Sequence, residues 1–190
     1  IIFYVLAIPA LLAALLSVHG CESRVKVANT APDNVTLSVS KCFIEKSGTI
    51  TLGAGAIDDD GDPLTFRWTA PAGTFSPESG IGSSVQWTAP ATPGTVTIGL
   101  AVTDEIVTVT KTQMITVCAV VPSSITVPTT LENTGINNSG TVYIVKNTDL
   151  LPIASTATLT IEPGVMIVFD GASCGFEAFG RIVAEGTPGE

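Results

Sequence analysis

Cationic side chains are scarce in this sequence, and histidine is almost absent. Eight Lys and Arg stand against seventeen Asp and Glu, giving a net charge of −9 over 190 residues. No basic cluster is present to neutralise phosphates, which argues against nucleic-acid binding. The one histidine, His19, lies just after an apolar run at the start of the chain, within the expected signal, and no Cys–His pair has the spacing of a zinc site or of a thiol nucleophile with its base. Helical periodicity is also lacking. What remains is rich in Thr, Val, Ile, Gly and Pro, the composition of an exported all-β protein.

The chain opens on an uninterrupted apolar run, Ile1 to Leu16, followed by Ser17-Val18-His19-Gly20-Cys21. An apolar stretch leading through small residues to a cysteine is how a lipoprotein signal peptide ends. On that reading residues 1–20 are the signal, in helical form. Cys21 then carries the lipid, and the mature protein is tethered to a membrane outside the cytoplasm. Glu22, which is not an Asp, leans the destination toward the outer membrane or cell surface. An uncleaved anchor is the rival, since the run is near the lower length limit for a bilayer span. All charged residues lie after position 20. Residues 21–34 read as a polar tether, with an edge strand through Val25 and Val27 as the alternative.

From Val35 to Ala119 apolar and polar residues alternate in runs bounded by Gly, Pro and Asp. Val35-Thr-Leu-Ser-Val-Ser, Thr49-Ile-Thr-Leu, Leu64-Thr-Phe-Arg-Trp, Ser84-Val-Gln-Trp and Thr95 to Val102 are period-two strands, and Glu105 to Val117 supplies another. Six or seven strands in this span predict an immunoglobulin-like sandwich. Trp68 and Trp87 fall mid-strand and read as core, with sugar stacking as the competing role.

Asp58, Asp59, Asp60 and Asp62 crowd one turn around Gly61. If the flanking runs are strands B and C, Asp104 and Glu105 occupy the F–G turn at the same pole. Asp58, Asp60, Asp62 and Asp104 are therefore the candidate ligands for Ca²⁺, which takes six to eight oxygens. The alternative is that these carboxylates cap turn N–H groups without a metal. Cys42 ends the first strand and Cys118 the last. If those ends are neighbours, a bridge closing about 75 residues would add about 4 kcal/mol; two free thiols are the alternative. Cys174 reads as a small buried hydrophobe.

The run GTITLGAGAIDDDGDPLTFRWTAPAGTF, followed by VQWTAP and GTVTIGLAVTD, resembles bacterial Ig-like modules related to the PKD family. That resemblance, over residues 35–119, implies a spacer or a module contacting carbohydrate or protein, not an enzyme.

Residues 120–124 (VVPSS) read as a linker. Beyond them strands shorten to Val142–Val145, Thr158–Ile161, Val165–Phe169, Phe176–Phe179 and Arg181–Ala184. Arg181 follows Thr158 by 23 residues, about one coil of a solenoid. The segments ATLTIEPGVMIVF and GRIVAEGTPGE resemble the opening coils of a right-handed parallel β-helix of the pectin-lyase type, over residues 125–190. The expected fold is thus all-β, a sandwich followed by a truncated β-helix. Glu162, Asp170, Glu177, Arg181 and Glu185 are scattered singly, and no catalytic residue is assigned. Three functions stay open. They are a non-catalytic surface lipoprotein for adhesion or glycan and protein binding, a polysaccharide lyase or hydrolase with its catalytic coils beyond Glu190, and a Ca²⁺-dependent contact module.

Overall fold

A computed structural model describes residues 28–134, 141–146, 150–171 and 175–184, and every regular element among them is a strand. The expected signal, Cys21 and Cys174 lie outside the described residues.

The first unit contains β1 (Asp33–Val39), β2 (Phe43–Glu45), β3 (Thr49–Ile57), β4 (Thr65–Thr69), β5 (Thr74–Ser76), β6 (Ser84–Thr88), β7 (Gly94–Thr103) and β8 (Thr108–Val120). Alternation drives each of them. In β3, Ile50 and Leu52 are buried while Thr49 and Thr51 are exposed. In β7, Val96, Ile98, Leu100 and Val102 all point inward. Each such side chain contributes about 1.5–3 kcal/mol on full burial. Trp68 and Trp87, 2% and 0% exposed, complete the core. Their indole N–H groups donate to the carbonyls of Gly82 and Ala72. That leaves neither ring a face for stacking a sugar.

One sheet runs β1-β3-β6-β5. In the other, β4, β7 and β8 are consecutive, with β2 added parallel on β8. These are the A-B-E-D and C-F-G orders of an immunoglobulin-like sandwich. Two short strands, β2 and β5, were not anticipated from the sequence. At three residues each they are too brief to show a period.

Four expectations need correction. Cys42 and Cys118 are free thiols, the first exposed and the second buried. The chain leaves β1, crosses between the sheets at Ser40–Cys42, and β2 then pairs Glu45 with Cys118. Cys42 thus lies three residues short of register, about 10 Å along the strand, beyond the reach of a disulfide. Secondly, residues 28–34 are not a free tether: Pro32 is buried, β1 starts at Asp33, and Asn29 and Thr30 are bonded to the sandwich. Thirdly, the segment 120–124 is no open linker. Val120 ends β8, and Val121 is 4% exposed in the core of the second unit. Fourthly, the Ca²⁺ candidate Asp104 stands apart from the other three carboxylates, as described below.

The second unit comprises β9 (Thr129–Leu131), β10 (Val142–Val145), β11 (Leu150–Ile153), β12 (Thr158–Ile161), β13 (Met166–Phe169), β14 (Gly175–Ala178) and β15 (Arg181–Ala184). Among the described residues its pairings are all parallel. β8, β10 and β13 form one ladder, β11 and β14 a second, and β9, β12 and β15 a third. An isolated parallel bridge, Ile125 to Ile153, extends the second ladder upward. Val121, Ile125, Leu131, Val145, Leu151, Ile153, Ala157 and Leu159 fill the space between them.

Candidate functional site

The acidic turn connects β3 to β4. Gly61 holds φ at +77°, a conformation that favours glycine, and its N–H bonds the Asp58 carbonyl. Asp58 folds back over the turn, its Oδ1 accepting the N–H groups of Asp60 (3.0 Å) and Asp62 (3.1 Å). The other oxygen, Oδ2, is shielded from solvent and has no hydrogen-bond partner. Its desolvation is therefore uncompensated, and a cation or a donor would relieve it.

The carboxylate oxygens of Asp58, Asp60 and Asp62 lie within 4.8 Å of one another. That spacing fits oxygen ligands sharing a hard cation, whose bonds to oxygen are about 2.3–2.6 Å long. Asp62 bears the cost of the crowding. Its carboxyl is held above the ordinary value, first by desolvation and then by the charges of Asp58, Asp60, Asp104 and Glu105.

Asp104, in the turn joining β7 to β8, lies close enough to be felt by Asp60 and Asp62. The two loops therefore share a pole, as expected. Its own bonds serve a structural purpose, however. Oδ1 accepts the N–H groups of Ile106 (2.8 Å) and Val107 (2.6 Å), while Oδ2 accepts from the Asn29 side chain (2.9 Å). The Val107 N–H and Asn29 hold its pKa below the usual carboxylate range, against the pull of desolvation. Asp60 is lowered too, by the Thr30 N–H and hydroxyl, each 2.7 Å from Oδ2.

Asn29 and Thr30 thus strap the incoming chain across the acidic pole. Nothing in their own sequence context marks them. Only the carboxylates 30 and 75 positions away give them a role. In the second unit two of the single carboxylates are likewise engaged. Glu162 accepts the Asn133 N–H at 2.8 Å, and Asp170 pairs with Lys41 at 2.7 Å.

No family model matches the chain, and no curated protein matches it. Among solved structures it is similar to the adhesin InvE of Yersinia pseudotuberculosis, with TM-score 0.36 and 20% identity over 50% of this chain and 31% of that one. It is also similar to the D00-D0 domain of Intimin, with TM-score 0.33 and 16% identity over 50% of each. The D0-D1 domain of Intimin aligns with TM-score 0.35 and 20% identity over 47% of this chain and 49% of that one. The chain spans half or less of each of these structures. At such scores the likeness carries no functional argument, and the immunoglobulin-like assignment stands on the strand order itself.

Proposed function

We propose that this chain is a non-catalytic cell-surface module for adhesion. An immunoglobulin-like sandwich related to PKD modules carries the opening coils of a right-handed parallel β-helix, and a lipid on Cys21 holds the whole to the outer membrane. The observation that carries this reading is the stack of three parallel ladders with a repeat of about two dozen residues. Such a stack builds a long display surface, and parallel crossovers in one sheet are right-handed in about 98% of cases. Glu162 and Asp170 act as structural partners, which fits display better than chemistry. The sandwich then serves as the stem.

The test is display of the chain on a non-adherent bacterium, scored for attachment to host cells, matrix proteins and a glycan panel. Attachment above the empty vector supports the reading. No attachment, together with cleavage of an acidic polysaccharide by the purified protein, would replace it with the lyase or hydrolase reading. Detergent extraction and intact mass check the anchor: a glyceride increment on the Cys21 peptide is expected, and its absence removes the lipoprotein element.

A second reading, a Ca²⁺-dependent contact module, is favoured by the orphan Oδ2 of Asp58 beside Asp60 and Asp62. Millimolar Ca²⁺ is then expected to raise Tm relative to a chelator control, and Asp58→Asn to abolish the rise. Equal Tm in both buffers would sink it.

A further inference from the structure

We infer that the sandwich is the end cap on which the second unit folds, so that the two form one cooperative body and not two beads on a linker. The coupling needs only the pairing of β8, whatever the protein binds. β8 belongs to both units. Its residues Thr116 and Val117 pair with β7 on one edge, while Thr116 to Cys118 pair with β2 on the other. Immediately beyond, Ala119 and Val120 pair with Tyr143 and Ile144 of β10. β8 therefore pairs in succession with β2 from the sandwich and with β10 from the solenoid.

Burial also continues along the chain from one unit to the next. Ile115 and Val117 belong to the sandwich core and Val121 and Ile125 to the second core, with buried Cys118 between them in sequence, and each is at most 4% exposed. The Val121 N–H donates to the Ile144 carbonyl at 3.1 Å, so the strand direction is kept through the former linker. Two ion pairs join the units, Lys41 with Asp170 and Lys146 with Glu45, and all four residues line one cleft.

The physical need is clear. A first parallel coil has a bare upper edge, with unpaired N–H and C=O groups and no neighbour to cover its apolar side. Here β8 supplies that neighbour, already held rigid by β7. Loss of the second unit strips Ala119 and Val120 of a partner and exposes Val121, so a local failure is transmitted upstream.

Both tryptophans, Trp68 and Trp87, lie in the sandwich, so their fluorescence reports that unit alone. Leu151 is fully buried in the other core. In urea unfolding of the intact chain, Leu151→Ala is expected to lower the tryptophan midpoint by about 1 M, together with the far-ultraviolet dichroism midpoint. If Leu151→Ala does not accumulate, Ile153→Val provides a milder version with a shift of about 0.3 M in both signals. The double variant Lys41→Met, Lys146→Met removes two part-exposed ion pairs but leaves the pairing of β8 intact, so the two transitions should stay coincident. A tryptophan midpoint unmoved by either core variant, with dichroism alone shifting, would overturn the inference and restore two independent domains.

Discussion

Gly73 offers the sharpest single test of how the sandwich core is packed. It precedes β5 with φ at +85°, and a Cβ there would lie 2.5 Å from the Thr88 carbonyl oxygen and 2.6 Å from Trp87 Nε1. Neither neighbour can retreat cheaply. Thr88 is in the ladder with β3, and the Trp87 indole is fully buried with its N–H on Ala72. Gly73→Ala therefore combines a left-handed alanine, about 1–2 kcal/mol, with overpacking, about 1–3 kcal/mol. Stretching the Trp87–Ala72 bond adds up to about 1 kcal/mol. The expected loss is about 2–6 kcal/mol. Gly61 is the internal control: its φ is +77°, but a Cβ there meets nothing within 4 Å. Gly61→Ala should cost only the backbone component, about 1–2 kcal/mol. The two variants differ by the remaining components, about 1–4 kcal/mol, which at about 2–4 °C per kcal/mol is roughly 2–16 °C in Tm. Urea unfolding followed by tryptophan fluorescence gives the free energies. Equal losses for the two variants would refute the packing described around Trp87.

Acid should unfasten the pole. Asp60 and Asp104 have lowered folded-state pKa values, so the stability they contribute is present above the unfolded carboxylate range, near pH 4, and is lost as pH falls through their folded values. Asp62, raised, acts in the opposite sense and is relieved by protonation. Tm measured from pH 7 to pH 2 should therefore fall more steeply for the parent than for Asp60→Asn, and parallel curves would contradict the strap. Thiol chemistry gives a separate check. Cys42 is exposed and should be alkylated in the native protein, whereas Cys118, buried with its pKa pushed up to about 11, should react only on unfolding. Peptide mapping that finds Cys118 modified first would contradict the fold at β8.

Period-two alternation made most of the sandwich legible. Ile50 and Leu52, or Val96 through Val102, declare their inward face without help from the rest of the chain. Elements that exist only because of a distant partner were not legible. β2 is three residues long and forms because β8 presents an open edge, and β11 carries Pro152, which argues against a strand when read alone. The linker reading failed for a related reason. Val120-Val121-Pro122-Ser123-Ser124 has turn composition, but Val120 is bonded to a strand more than twenty residues downstream.

The site divides along the same line. The crowding of Asp58, Asp60 and Asp62 follows from their spacing around one glycine, and so does their repulsion. What each carboxylate does depends on donors that sequence reasoning had no means to place. Asp104 looks like a fourth ligand until Asn29 and two turn N–H groups claim its oxygens, and Asp60 gives one oxygen to Thr30. After these assignments Asp58 Oδ2 is the acceptor left buried without a partner, and it marks where a cation would act. Because Asp60 serves both the strap and the triad, any ion bound there must share that carboxylate with the chain arriving from the N-terminal side. The strap and the triad should accordingly respond to one another. Thr30→Val, which removes one of the two donors to Asp60, is expected to tighten Ca²⁺ binding if the ion uses that carboxylate. Calorimetric titration showing no change would separate the strap from the triad.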